Sequence, residues 1–104
     1  MVTVLNNENF NNEVLEHEGV VVVDFYADWC RPCMMMVPNV EKLAEERTDV
    51  KFCKINVDNA REISQKYGVM SIPTFVVIKD GRTIGEIKGY MSKEVFEEEI
   101  DKVL

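Results

Sequence analysis

Residues 20–33 read Val-Val-Val-Val-Asp-Phe-Tyr-Ala-Asp-Trp-Cys-Arg-Pro-Cys and join a predicted strand to a predicted helix. Residues 20–27 are almost continuously apolar, which is typical of a central strand covered on both faces. From about Pro32 to Arg47, apolar residues recur at helical spacing. Cys30 and Cys33 therefore lie where the strand gives way to the helix. Unpaired N–H groups at a helix N-terminus stabilise a thiolate, and the thiolate is the nucleophile in disulfide exchange.

Four further strands are predicted on either side of this segment. They cover residues 2–5, 50–57, 74–79 and 82–88. Asp80-Gly81 separates the last two strands and predicts a tight hairpin, because both turn positions take positive φ. Asn6 or Asn7 is expected to cap a helix that runs to about His17. Its buried side carries Phe10 and Val14.

Two more helices complete the predicted elements. Asn59 followed by Glu62 resembles a capping arrangement for a short helix that ends near Gly68. Ser92 is expected to cap the last helix. The apolar residues that this helix is predicted to bury are Val95, Phe96, Ile100 and Val103.

The predicted order of elements is β-α-β-α-β-α-β-β-α. Alternating strands and helices favour parallel pairing with crossover helices, and the hairpin adds an antiparallel edge. We therefore predict an α/β fold with a mixed central sheet of about five strands, flanked by four helices on both faces. The length of 104 residues fits one domain spanning 1–104.

Composition narrows the classes of function. The chain has 12 Lys and Arg against 19 Asp and Glu, a net charge of −7, which opposes binding to nucleic-acid phosphates. No apolar stretch approaches the roughly 20 residues of a membrane span, so no membrane partner is expected. No export signal is visible, which favours a cytoplasmic location. One close cysteine pair and one distant cysteine fit an intracellular redox protein better than a disulfide-stapled secreted domain.

A zinc site is the rival explanation for the Cys-x-x-Cys spacing. A structural zinc site needs four ligands, and only Cys53 and His17 remain, at unrelated positions. We therefore expect no metal. Cys53 is predicted to pack as a small apolar residue, with a regulatory thiol as the alternative.

Four motifs together resemble the thioredoxin family over essentially the whole chain. Residues 24–27 (Asp-Phe-Tyr-Ala) lead into Trp-Cys-Arg-Pro-Cys, and Pro38 follows Cys33 by five residues. Residues 54–58 read Lys-Ile-Asn-Val-Asp, and residues 72–74 read Ile-Pro-Thr. A lone Cys-x-x-Cys is a weak signal, whereas this combination is specific. Two positions depart from the common family pattern, since Arg31 stands where glycine is usual and Met34 where a basic residue is usual.

The resemblance implies a role for each residue of the redox pair. Cys30 is expected to be the attacking thiol, exposed ahead of the helix, and Cys33 the resolving thiol. Pro32 stiffens the helix start and tunes the redox couple. Asp24 is a carboxyl group in an apolar strand, so burial should raise its pKa and suit it to accept and return a proton. Lys54 is expected to reach toward Asp24 and partly offset that shift.

The resemblance also implies a surface for substrates. Pro73 is expected to be the family's cis proline, which leaves the backbone of Ile72 free to pair with an extended substrate segment. Trp29, Arg31 and Gly89 are expected to complete that surface. The alternative for Trp29 is ordinary core packing.

The function that follows is general protein-disulfide reduction by thiol–disulfide exchange. No cofactor need be bound, because the Cys30–Cys33 disulfide is itself the redox group. Disulfide-containing client proteins are the expected substrates, a thioredoxin reductase is the expected electron donor, and a monomer is the default. Two alternatives stay open: an oxidase or isomerase domain, which differs in redox potential, and a binding module without catalysis.

Overall fold

The computed structural model describes all 104 residues, from Met1 to Leu104, and contains a five-stranded mixed sheet. The strands are β1 (Val2–Leu5), β2 (Val20–Tyr26), β3 (Val50–Asn56), β4 (Thr74–Lys79) and β5 (Arg82–Lys88), in the spatial order β1-β3-β2-β4-β5. β3 pairs in parallel with β1 and β2, and β4 pairs antiparallel with β2 and β5. β2 is thus the central strand that its apolar composition predicts.

Four helices flank the sheet and confirm the predicted α/β class. They are a π-helical turn (Asn11–Leu15), α1 (Arg31–Glu46), α2 (Arg61–Lys66) and α3 (Lys93–Val103), with a 3₁₀ turn at Val57–Asn59 in addition. The π-helical turn and α2 share one apolar core with alternate residues of the strands. The other face of the sheet packs on α1 and α3. The predicted order of elements and the two covered faces are confirmed.

The first predicted helix is shorter than expected. The Asn6 side chain accepts hydrogen bonds from the N–H groups of Glu8 and Asn9, as a cap does, and Phe10 N–H donates to the Asn6 carbonyl at 3.2 Å. The helix itself covers only Asn11–Leu15 and is a π-helix, in which the Glu16 N–H donates to the Asn11 carbonyl, five residues earlier, at 3.0 Å. Phe10 and Val14 are nevertheless buried, as predicted.

Two details of the other helices are corrected. Asn59 does not cap α2, because it ends the 3₁₀ turn and Ala60 occupies the cap position without a side-chain bond. Val95 is 44% exposed, since it lies off the stripe formed by Phe96 and Ile100. Ser92 does cap α3, as predicted, by accepting a bond from the Val95 N–H at 3.2 Å.

The hairpin between β4 and β5 follows the prediction. Asp80 and Gly81 have φ of 50° and 82°, as a tight turn of this type requires. The Asp80 carboxylate also accepts a bond from Gly19 N–H at 2.8 Å, which ties the hairpin to the start of β2. This hydrogen bond helps to hold β2 and β4 in register at the end of the sheet opposite the cysteines.

Candidate active site

The two cysteines form a disulfide at the first turn of α1, which confirms the predicted pair. Cys30 is the N-cap residue and has an extended backbone, while Cys33 lies inside the helix. The Cys33 N–H donates a hydrogen bond to Cys30 Sγ at 3.2 Å. The helix start thus directs a backbone donor at the sulfur expected to attack, an arrangement that stabilises a thiolate.

The two cysteines are less accessible to solvent than the sequence implies. The position ahead of the helix predicts an exposed Cys30, but only 5% of its surface is accessible, against 1% for Cys33. Both pack with Ala27, and Tyr26, Val57 and Ile72 cover the cluster. Cys30 remains the more accessible of the two, and a substrate can reach it only by lying against these neighbours.

Trp29 lies on the surface beside the disulfide rather than in the core. Its side chain is 72% exposed, and its indole Nε1–H donates to the Asp58 carboxylate at 2.9 Å. This bond fixes the indole as one wall of an open groove of about 190 Å³. The other residues that line the groove are Val57, Ser64, Val69, Met70, Ser71 and Ile72. The groove is mostly apolar and ends at the disulfide cluster, because Val57 and Ile72 belong to both.

The Ile72–Pro73 peptide bond is cis and faces the disulfide. The Ile72 carbonyl oxygen lies 3.8 Å from Cys30 Sγ, and the Ile72 N–H donates no hydrogen bond within the chain. Gly89 N–H donates to the Pro73 carbonyl at 2.9 Å, so the loop after β5 is held against the same segment. The structure thus brings Cys30, Trp29, Ile72, Pro73 and Gly89 to one end of the sheet.

Asp24 is buried in β2, directly beside Lys54 in the register of β3. One of its carboxylate oxygens, Oδ1, has no hydrogen-bond partner. Burial raises the pKa of Asp24 to about 7, and the positive charge of Lys54 offsets only part of that shift. Lys54 itself extends over the Tyr26 ring, with Nζ 5.7 Å from the ring centre.

A small cavity of about 10 Å³ lies against the Asp24 side chain. Its other lining residues are Val2, Val37, Val40, Glu41 and Lys54. Neither cysteine lines this cavity, so the structure places Asp24 beneath α1 rather than in contact with the disulfide. The carboxyl group is nevertheless the one buried acid on the face of the sheet that α1 covers.

Arg31 and Pro32 occupy the first two positions of α1, and both are exposed. Arg31 forms no ion pair, so its charge faces solvent beside the disulfide. Met34 is 40% exposed on the same turn. The two positions that depart from the common family pattern therefore both lie on the accessible rim of the site.

Residues outside this region form no second redox site and no metal site. Cys53 is fully buried, and burial raises the pKa of its thiol to about 11, in line with the predicted packing role. The structure contains no cluster of three or more His, Cys, Asp or Glu side chains suited to a metal ion. A larger surface pocket of about 530 Å³ lies beside Asp58. Its lining is mostly polar and charged and includes neither cysteine of the disulfide. No helix is both long and apolar enough to cross a membrane.

Three residues of the site were missed by sequence reasoning. Met70 is 94% exposed on the rim of the groove, Tyr90 is 50% exposed beside Gly89, and Asp58 holds the Trp29 indole. Met70 had one available signal, because it is an apolar residue in a loop with no place in a helical or strand pattern. Asp58 belongs to the motif at residues 54–58, but nothing in the sequence indicated its bond to Trp29, which lies 29 residues away.

Comparison with known proteins gives a consistent result over the whole chain. The family model described as Thioredoxin matches residues 1–102. A protein named Thioredoxin from Bacillus subtilis (strain 168) is 48% identical over 88 residues, covering 84% of this chain and 85% of the relative. Proteins of the same name from Listeria monocytogenes and Chlamydia pneumoniae are 42% and 39% identical, and each alignment covers 98% of both chains.

Proposed function

Because this chain belongs to the thioredoxin family, we propose that it reduces the disulfides of many client proteins in two chemical steps. It is a thiol–disulfide oxidoreductase with protein-disulfide reductase activity, and its redox group is the Cys30–Cys33 disulfide. The observation that carries the proposal is the position of this disulfide, at a helix start and beside an open apolar groove. Residues 1–104 work as one domain in this proposal.

The first step is attack by Cys30 on the client disulfide. In the reduced chain the Cys30 thiolate receives the Cys33 N–H bond and is the more accessible sulfur. It forms a new S–S bond with one client sulfur, and the other client sulfur leaves as a thiolate and takes up a proton. The product is a mixed disulfide between Cys30 and the client.

The second step is resolution by Cys33. Its thiol must lose a proton before it attacks Cys30 Sγ, and Asp24 is the base we assign to that proton. A pKa of about 7 suits a carboxyl group that accepts and returns a proton near neutral pH. The attack releases the second client thiol and restores the Cys30–Cys33 disulfide.

Client segments are held by main-chain pairing and by the groove. The free Ile72 N–H and the carbonyl beside Cys30 Sγ present a donor and an acceptor to an extended segment. Trp29, Arg31 and Gly89 bound the surface on which that segment lies. Main-chain pairing tolerates many sequences, which suits a general reductant.

The chemistry of the cycle supports a proposal for the electron donor and for the location. Each turnover leaves the chain oxidised, so a disulfide reductase, here a thioredoxin reductase, must return two electrons. A dithiol that works as a reductant needs a reducing compartment, which we propose to be the cytoplasm. We further propose that the chain acts as a monomer.

Trapping of the mixed disulfide tests these assignments. Cys33→Ser should accumulate covalent complexes with a disulfide client such as insulin, because Cys30 can attack but nothing resolves the product. Cys30→Ser should form none at neutral pH, since Cys33 is buried. Non-reducing electrophoresis and mass spectrometry identify the linked cysteine. Complexes linked through Cys33 would overturn the assigned roles, and no complexes at all would overturn the proposed reaction.

A further inference from the structure

The loop from Gly89 to Met91 is hydrogen-bonded to the Ile72–Pro73 segment that faces the disulfide. It connects β5 to α3, and Gly89 has a φ of 90°. Tyr90 at its centre is half exposed. One bond, from Gly89 N–H to the Pro73 carbonyl, holds the first residue of the loop. The loop therefore needs a second attachment if its position relative to the disulfide is to be fixed.

That second attachment comes from α1, the helix that carries the cysteines. The Asn39 side-chain amide donates to the Met91 carbonyl at 2.9 Å. The Met91 N–H donates to the sulfur of Met36 at 3.4 Å. Both backbone polar groups of Met91 are thus satisfied by side chains of one helix, 52 and 55 residues away in the sequence.

The two side chains form one unit. The Asn39 amide also lies 3.8 Å from Met36 Sδ, and Met36 is completely buried in the core between α1 and the sheet. Asn39 is only partly exposed and stands between Pro38 and the buried Val40. A polar side chain at such a position loses hydration, and its bond to Met91 compensates for that loss.

We propose that Asn39, supported by Met36, is a positioning residue for client binding. It holds the Gly89–Met91 loop in a fixed place against the middle of α1, so that the client surface is formed before the client arrives. The inference rests on the proposed function, in which Gly89 bounds that surface. Asn39 touches neither cysteine, and its effect is confined to docking.

The physical consequence is a change in affinity without a change in chemistry. A loop that must be ordered on binding lowers affinity by the entropy of ordering. Removing an interaction that acts on bound client and transition state alike raises the half-saturation concentration and leaves the limiting rate unchanged. One hydrogen bond contributes about 1 kcal/mol, which corresponds to about a fivefold change in that concentration.

The test uses the reduced full-length chain in single-turnover reactions. Asn39→Asp keeps the shape of the side chain but places carboxylate oxygens against the Met91 carbonyl, and Asn39→Gln keeps the donor. Asn12→Asp is the matched control, because Asn12 is exposed and its side chain makes no hydrogen bond. Stopped-flow fluorescence of Trp29 follows oxidation by insulin, and by hydroxyethyl disulfide, which has no peptide segment to dock.

For Asn39→Asp we expect a half-saturation concentration for insulin at least about fivefold higher, because one hydrogen bond is lost and two oxygens then repel each other, and an unchanged rate with hydroxyethyl disulfide. Faster amide exchange at Tyr90 and Met91 should accompany it, and Asn39→Gln should recover part of the affinity. Met36→Leu, which fills the same volume without an acceptor, should accelerate exchange at Met91 in a folded chain and give a second, independent readout.

Two kinds of result would overturn the inference. If the wild-type chain reacts with insulin and Asn39→Asp leaves half-saturation and loop exchange unchanged, the positioning role fails while the proposed function stands. If Asn39→Asp slows hydroxyethyl disulfide as much as insulin, the effect reaches the cysteines themselves and is not one of docking. A wild-type chain that reacts with hydroxyethyl disulfide but not with insulin would remove the proposed function and this inference with it.

Discussion

Replacing Asp24 by asparagine should stabilise the fold, and the gain should grow with pH. The pKa of Asp24 rises from 3.8 to about 7 on folding, because burial penalises the charged form. Between those two pH values the folded chain holds a proton that the unfolded chain has lost. Stability therefore falls as pH rises from about 4 to about 7, and the full penalty is present above pH 7.

The size of the effect follows from the shift. A rise of about three pKa units, at about 1.4 kcal/mol for each, gives a penalty on the order of 4 kcal/mol above pH 7. The asparagine side chain carries no charge at any pH, so Asp24→Asn avoids this penalty. Over the interval from about pH 5 to about pH 8, the difference in stability between variant and wild type should widen by about 3 kcal/mol.

Urea unfolding of the oxidised chain, followed by far-ultraviolet circular dichroism, measures that difference at each pH. Glu45→Gln is the control, because it removes one carboxylate from an exposed position of α1 that has no ion-pair partner. A difference between Asp24→Asn and wild type that stays constant across this pH interval would refute the reasoning, since the carboxyl group would then titrate alike in both states.

Three further predictions concern stability and reactivity. Arg47 bonds three carboxylates and links the end of α1 to α3, so Arg47→Met should cost about 1–2 kcal/mol at low salt, and urea midpoints should show a smaller loss in about 1 M salt. Gly81→Ala should cost more than Gly68→Ala in the same assay. Both positions have positive φ, but a Cβ on Gly81 would lie 3.0 Å from the Leu15 carbonyl, whereas the space around Gly68 is open. Cys53 should stay unmodified by iodoacetamide at mildly alkaline pH in the folded, reduced chain, because it is buried and its pKa is raised to about 11; its alkylation before that of the active-site thiol would contradict this account.

The parts of the fold that follow from local chemistry could be predicted from the sequence. Asp80-Gly81 specifies its turn by the φ values it accepts, and the strands on either side have the predicted bounds. Asp24 stands in an apolar run, so its burial and raised pKa follow from composition alone. The first helix was less predictable, because residues 11–15 bond at π-helical spacing, which the α-helical period of the apolar residues does not specify.

The parts of the site that depend on distant contacts could not be predicted in this way. The bond of Trp29 to Asp58 and that of Asn39 to Met91 join residues 29 and 52 positions apart. Nothing local to any of these residues specifies its partner. The low exposure of Cys30 has the same origin, because its cover comes partly from Ile72, 42 residues away.

Redox titration of the purified chain in a defined thiol buffer tests the central claim most directly. Trp29 lies beside the disulfide and reports the transition by fluorescence. If the chain is a protein-disulfide reductant, we expect a two-electron transition at about −270 mV, the value typical of thioredoxins. A potential of about −180 mV or higher would contradict the account and assign the chain to disulfide formation or isomerisation. The absence of any transition would show that the Cys30–Cys33 pair is not a redox couple.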